Sequence, residues 1–276
     1  MQVSALYIYP VKGLRAVELQ EAEVTPRGLR HDRRWMLVDM DGKFITQREQ
    51  PKLATLSAHV TPAGLRIAGS GKSIDISEPL ANAPRLPVKL WKQDIEGFAA
   101  SGEADAWFSD YLSLPCRLVY QGDLPRAASE KYAANAQVSY ADGFPILVTV
   151  TESLGDLNVK MPAALPMDRF RPNIVVTGAG AWAEDSWKKI KVGDITLDIV
   201  KPCTRCVVTT TDQLTGEKQS NEPLNTLKTF RLLRTPDLTG VVFGQNAVPM
   251  HAGIVKKGDI VTVAATQAPP AFAKLA

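Results

Sequence analysis

Alternation of apolar and polar positions runs along much of the chain and predicts β-strands. Residues 3–9 (VSALYIY) are rich in β-branched and aromatic side chains. Two further β-prone runs, 34–39 and 44–46, flank an Asp-Gly pair at 41–42, which is typical of a tight hairpin turn. Another strand is predicted around residues 65–68. The first half of the chain is therefore predicted to consist mostly of sheet.

Helical periodicity is confined to short stretches. Four aromatic and aliphatic side chains within residues 103–112 fall on one helical face, which predicts a helix there with Ser101 as its N-cap. A strand at 146–150 is followed by a second predicted helix, 152–160, with Thr151 as its cap. The pattern predicts a mainly β protein with some α-helix.

The polar, Ala-rich stretch 121–137 has no clear periodicity and is predicted to be an irregular connection between two domains. Beyond it, KVGDI (191–195) and KKGDI (256–260) place the same Gly-Asp turn before alternating apolar runs that begin at Ile195 and Ile260. We interpret these as one turn type used twice in a barrel. The Ala- and Pro-rich end, 267–276, is predicted to be disordered.

Composition narrows the possible functions. The 276 residues include 32 Lys and Arg against 29 Asp and Glu, a net charge of +3 that is spread along the chain. This favours an anionic small-molecule ligand over nucleic acid, which requires a basic stripe. No apolar run approaches about 18 residues, so no membrane span is expected, and the start lacks the basic residues of a signal peptide. Three Cys suggest a reducing compartment, and we expect a cytoplasmic protein.

The motif KPCTRCVVTTTD (201–212) contains two thiols, Cys203 and Cys206. A structural zinc site requires four ligands, and Cys116 and the three His have no paired spacing. A redox dithiol normally begins a helix, whereas β-branched residues follow here.

A third possibility is a thiolate that ligates a soft metal or carries sulfur, with Lys201 and Arg205 supplying positive charge. The fourth is that both cysteines are ordinary packed residues. The spacing of Cys203 and Cys206 leaves these alternatives open.

Segments along nearly the whole chain resemble, in the same order, the MOSC-domain proteins of the mitochondrial amidoxime-reducing component and YcbX type. Beside residues 201–231, the matching segments are LYIYPVKG (6–13), GLRHDRRWMLVD (28–39), ITQREQPKL (45–53), SGEADAWFSDYL (101–112), ADGFP (141–145), ESLGDLN (152–158), FRPNIVV (170–176), AEDSWKKIKVGD (183–194) and FGQNAV (243–248). The resemblance implies a MOSC N-terminal β-barrel-like domain at 1–120 and a β-barrel MOSC domain at 121–266.

The resemblance further implies a molybdenum cofactor, a molybdenum held by a pyranopterin dithiolene, with Cys206 as the protein ligand of the metal. Lys12 and Arg33 would bind the anionic pterin phosphate, and Asp142 would lie near the metal as a proton carrier. The implied cofactor-binding residues are Lys12, Gly13, Arg33, Gly143, Arg171, Thr204, Arg205, Cys206 and Asn246. Cys203 and Cys116 are expected to be structural. Pyridoxal phosphate binding is a further expectation from the family as a whole.

The implied activity is reduction of N-hydroxylated compounds to amines or amidines. Gly13 stands where the family usually has Ser, and Asn246 stands where amidoxime-reducing members have an aromatic residue, so substrate preference is open. The chain lacks Cys after Cys206, so electrons are expected from a separate ferredoxin- or flavin-reductase-type protein. The alternative is a non-catalytic carrier of the cofactor or of persulfide sulfur.

Overall fold

The computed structural model describes residues 1–273, and strands dominate it. In chain order the strands are β1 (Gln2–Ile8), β2 (Val17–Leu19), β3 (Glu21–Thr25), β4 (Gly28–Leu29), β5 (Trp35–Val38), β6 (Ser57–Thr61), β7 (Gly64–Gly69), β8 (Lys72–Ser77), β9 (Arg85–Leu90), β10 (Gln93–Ala99), β11 (Arg117–Tyr120), β12 (Ile146–Val150), β13 (Ile174–Thr177), β14 (Trp187–Val192), β15 (Ile195–Thr204), β16 (Leu232–Arg234), β17 (Thr239–Pro249), β18 (Gly253–Lys256) and β19 (Val261–Thr266). The α-helices are α1 (Gly102–Leu112), α2 (Thr151–Val159) and α3 (Leu224–Phe230). Short 3₁₀ helices span Pro51–Thr55, Met167–Phe170, Ala183–Ser186 and Val207–Thr210.

A nine-stranded sheet forms the larger part of the molecule, in the order β19-β14-β15-β17-β12-β13-β1-β2, with β16 pairing to β17. The start of β1 is also hydrogen-bonded to the beginning of β19 and the residues just before it. Val3 N–H donates to Asp259 O, and Val261 N–H donates to Met1 O, both at 2.9 Å. The sheet therefore closes on itself as a barrel. Its interior is filled by buried aliphatic side chains from most of these strands.

The remaining sheets are smaller: β5-β11-β10-β9, β6-β7-β8 and β18-β3-β4. Helix α1 packs Phe108, Tyr111 and Leu112 into a second core that includes Leu65 of β7 and Leu118 of β11. Within residues 1–273, none of the helices is long and apolar enough to cross a membrane.

The mainly β fold class is confirmed, as is the N-cap of α1, where the Ser101 hydroxyl accepts a hydrogen bond from Ala104 N–H. The predicted cap of α2 is wrong: Thr151 is its first helical residue, Val150 occupies the cap position, and no side chain caps it. The predicted alternation of buried and exposed positions from Ile260 onwards is shifted by one residue relative to the structure. Ile260 is exposed, and the strand begins with buried Val261 because side chains alternate between its faces.

The two Gly-Asp turns lie side by side at one end of the barrel, where Gly193 N–H donates to Ile260 O at 2.9 Å. Gly193 has a left-handed backbone (φ +55°), and a Cβ there would lie 2.8 Å from a carboxylate oxygen of Asp259. The left-handed backbone therefore favours glycine in the first turn, and any larger residue would also have to displace the Asp259 side chain.

Strand pairing does not follow the predicted division at residue 120. Strand β1 pairs with β13, and β3 pairs with β18, so the start of the chain contributes to sheets formed by its second half. The stretch 121–137 is irregular, as expected. In the predicted tail, residues 267–273 form no helix or strand, yet Ala273 N–H donates to Leu232 O at 2.8 Å. Residues 274–276 lie outside the described part, and the two-domain division stays a prediction.

Candidate active site

A cavity of about 1020 Å³ lies where the smaller sheets meet the barrel. All ten residues singled out from the sequence line it. They are Lys12, Gly13, Arg33, Asp142, Gly143, Arg171, Thr204, Arg205, Cys206 and Asn246. A volume of this size accommodates a large ligand. The fold therefore brings together residues that are separated by up to most of the chain length.

Both thiols of the Cys-x-x-Cys motif face this cavity. Cys206 is exposed and directly precedes the 3₁₀ helix Val207–Thr210, whose Thr209 N–H and hydroxyl both donate to Cys206 O, at 3.0 and 2.9 Å. The Arg48 guanidinium lies 3.7 Å from Cys206 Sγ. Residues 207–210 are β-branched, yet these hydrogen bonds stabilise a helical turn there against their strand propensity.

Cys203 is not a buried packing residue. It is only half-buried, and its Sγ accepts a hydrogen bond from Arg205 Nη1 at 2.9 Å. Arg205 is anchored by donating to Phe170 O at 2.6 Å, and its Nε is buried without a partner among the described residues. Cys116, in contrast, is buried in the second core, as expected of a structural cysteine.

Two guanidinium groups, Arg33 and Arg171, each lie 4.1 Å from the ring centroid of buried Tyr9. Arg33 is held by Asp32 (2.7 Å) and Asn173 (3.2 Å). Burial lowers the pKa of Arg171 to about 10, and the charge of Arg33 adds to this effect. Both residues have left-handed backbones, with φ of +49° and +56°. Two close cations in a protected wall form an environment that an anion such as phosphate stabilises.

Lys12 and Asp142 form an ion pair in the cavity wall, and Lys12 Nζ also donates to Tyr140 O at 2.9 Å. The Asp142 side chain is exposed to the cavity, and the adjacent Lys12 ammonium holds the pKa of that carboxyl well below its usual range. Burial in turn lowers the pKa of Lys12. Asp142 is therefore ionised at neutral pH, and the proton of the pair resides on Lys12.

Several cavity residues were missed by sequence reasoning, notably Arg48, Trp91 and Arg126. Arg48 lies in a segment that resembles the family but was assigned no role. Trp91 stands at a hairpin tip and its indole N–H donates to Asp142 Oδ1 at 3.3 Å. An exposed aromatic residue at a turn was the available signal.

The residues present fit a bulky anionic cofactor that carries a soft metal. The lining contains eight Lys and Arg side chains against one carboxylate, Asp142, and an exposed thiol at Cys206. Thiolates bind soft metal centres, and guanidinium groups bind phosphate. Among residues 1–273, no group of three or more His, Cys, Asp or Glu side chains is arranged to hold an ion.

Comparison with protein families matches two models to this chain. Residues 1–115 match the MOSC N-terminal beta barrel domain, and residues 135–262 match the MOSC domain. Neither description points to pyridoxal phosphate, and that expectation is not supported.

Curated relatives match over almost the full chain. Mitochondrial amidoxime-reducing component 1 of Homo sapiens is 35% identical over 275 residues, covering 93% of this chain and 81% of the relative. The component 1 protein of Mus musculus is 34% identical over 274 residues, covering 93% and 80%. Mitochondrial amidoxime reducing component 2 of Rattus norvegicus is 36% identical over 277 residues, covering 94% and 80%.

Proposed function

Because this chain belongs to the MOSC-domain family of the amidoxime-reducing components, we propose that it reduces N-hydroxylated compounds at a molybdenum cofactor bound in the cavity. The observation that carries the proposal is the convergence of Cys206, the Tyr9-stacked arginines and the Lys12–Asp142 pair on one cationic cavity. Cys206 is the metal ligand in this proposal. Arg33 and Arg171 hold the cofactor phosphate.

When bound, the cofactor supplies the two-electron chemistry that removes oxygen from the N–O group. The chain supplies binding, orientation and protons. The reduction of R–NHOH to R–NH₂ and water consumes two electrons and two protons. Lys12 is the acid of its pair with Asp142, since Asp142 stays ionised and burial makes the ammonium a better donor. We assign proton delivery to this pair, with Asp142 orienting Lys12.

The electrons come from an external protein in this proposal, of the ferredoxin- or flavin-reductase type. Exposed Lys92 and half-buried Arg48 line the cavity together with the exposed Cys206. Positive charge on these accessible lining residues suits an acidic partner surface. A cytoplasmic location stays a prediction for this chain.

Metal analysis tests the ligand assignment directly. We expect near-stoichiometric molybdenum in the wild-type protein produced with ample molybdate, and a centre that is lost or spectroscopically altered in Cys206→Ala. Cys203→Ala is the matched control, three residues away in the same cavity wall, and we expect it to retain the metal. Reduction of an amidoxime with an artificial electron donor is measured on the same preparations.

The outcomes separate the alternatives. Molybdenum in the wild type without any reduction of N-hydroxylated compounds indicates a cofactor carrier. Absence of molybdenum from a host with intact cofactor synthesis refutes the enzyme proposal and favours persulfide transfer on the exposed Cys206. Loss of the metal from Cys203→Ala alone shows that the wrong thiol was assigned.

A further inference from the structure

Trp91 occupies a backbone position that its side chain disfavours. It is the first residue of the two-residue turn between β9 and β10, which Leu90 and Gln93 close by pairing. Its φ of +58° lies in the left-handed region. Turns of this length favour glycine, asparagine or aspartate at such a position, and a bulky residue there is strained. Local turn preference therefore does not account for tryptophan, and such strain is commonly found at functional sites.

The indole is nevertheless held in a defined orientation. Its N–H donates to Asp142 Oδ1 at 3.3 Å, and its ring centroid lies 4.9 Å from that of Phe44. The Arg48 guanidinium carbon lies 4.7 Å from the ring centroid. Despite these contacts Trp91 is 48% exposed, and it lines the cavity. An oriented aromatic surface therefore remains open to a ligand.

Arg48 connects this surface to the thiol. The same guanidinium group lies against the Trp91 ring and 3.7 Å from Cys206 Sγ. A substrate whose N–O group reaches a metal held by Cys206 therefore lies near Arg48, and Trp91 packs against Arg48. This makes Trp91 a candidate for contacting the part of the substrate that does not react.

We propose that Trp91 is a specificity-determining platform that favours N-hydroxylated substrates carrying a flat, conjugated ring over those with a saturated ring; this inference rests on the proposed function. Aromatic rings stack at offset or tilted geometries, which a puckered saturated ring does not match. Arg48 adds attraction for the same flat ring from its guanidinium plane. Discrimination then depends on ring planarity while the N–O chemistry stays the same.

Two ligands that differ only in the ring test this platform: benzamidoxime and cyclohexanecarboxamidoxime. Binding is measured by calorimetry on the isolated protein without an electron donor, so that no turnover occurs. We expect the wild type to prefer benzamidoxime, and Trp91→Gly to lose roughly two- to tenfold of that preference. Glycine suits the turn, so this variant is expected to keep its fold, which a thermal melt checks. Trp91→Phe keeps a ring without the indole N–H and should retain most of the preference.

Trp107→Phe is the matched control, because Trp107 lies on α1 and is not among the cavity-lining residues. We expect its preference to equal that of the wild type. The proposal is overturned if Trp91→Gly keeps the wild-type preference for benzamidoxime, or if it binds both ligands more weakly by the same factor. The parallel turnover assay with an electron donor separates the two proposals. If the protein prefers benzamidoxime but does not reduce it, only the proposed function is refuted. If the protein reduces both ligands and its preference between them is the same with and without Trp91, only the platform is refuted.

Discussion

Glu184 is a fully buried carboxyl whose ionisation the fold opposes. It lies in the 3₁₀ helix Ala183–Ser186, where the Ser153 hydroxyl donates to its Oε2 at 2.8 Å. Its Oε1 has no partner among the described residues. Burial raises the pKa of Glu184 to about 7, and the charge of Asp185 adds to this, while the Ser153 hydrogen bond and Arg231 act in the opposite direction.

The sign of the effect on stability follows from proton binding. Between the ordinary value of 4.5 and about 7, native Glu184 keeps a proton that the unfolded chain has released. The free energy of unfolding therefore falls as the pH rises through this interval. The difference between the two pKa values corresponds to about 3 kcal/mol of stability that is present at acidic pH and lost by neutral pH.

Glu184→Gln tests this calculation, because glutamine resembles the protonated acid and does not titrate. We expect the variant to match the wild type near pH 4.5 and to exceed it by up to about 3 kcal/mol above pH 7. Urea unfolding of both proteins at pH 5, 6, 7 and 8 measures the difference, in which the contributions of other titrating groups largely cancel. A difference that stays constant across this range would refute the reasoning, whatever its size.

Two further substitutions test what holds the structure around the site. Arg231 and Asp185 form a buried bidentate pair, with N–O distances of 2.5 and 2.8 Å. Arg231→Met leaves the Asp185 charge without its ion-pair partner, so we expect a loss of about 3–5 kcal/mol in the free energy of unfolding measured in urea. A loss below about 1 kcal/mol contradicts this expectation. Ser101→Ala removes the cap on Ala104 N–H and is expected to cost about 1 kcal/mol, whereas Ser101→Asp, which keeps an acceptor, should restore stability.

Local patterns predicted the elements whose determinants are local. The helix α1 was recognisable because its buried face and its cap lie within the same twelve residues, 101–112. The turn after β5 was recognisable from Asp41-Gly42, and Asp39 N–H donates to Lys43 O at 2.8 Å. The predicted β-run at 44–46 forms only an isolated bridge between Phe44 and Val38 and no strand. The register of β19 could not be predicted from local sequence, because Ile260 and Val261 both favour strands and only packing in the barrel decides which side chain is buried.

The site was predictable only in part for a similar reason. Residue chemistry left the roles of Cys203 and Cys206 open, and the family resemblance supplied the set of residues that the fold brings to one cavity. Arg48 lies within a matching segment that assigned it no role, and Trp91 lies outside the matching segments. From sequence alone, a charged residue in a turn and an aromatic residue at a hairpin tip are expected at the surface, away from any site. Their proximity to Cys206 and Asp142 arises from tertiary contacts between segments far apart in sequence.

The cavity wall depends on contacts that cross the predicted division at residue 120. Lys12 pairs with Asp142, and the side-chain amides of Gln47 and Gln213 bond to each other at 3.1 Å. Arg48 reaches Cys206, so the thiol proposed to bind the metal takes its neighbouring charge from the first half of the chain. Since β1 is also a strand of the barrel, removing the first half would remove both a structural strand and four of the eight cations that line the cavity, Lys12, Arg33, Arg48 and Lys92. The proposed cofactor binding and substrate selection therefore require both halves of the chain, and neither is expected from the MOSC-matching segment alone.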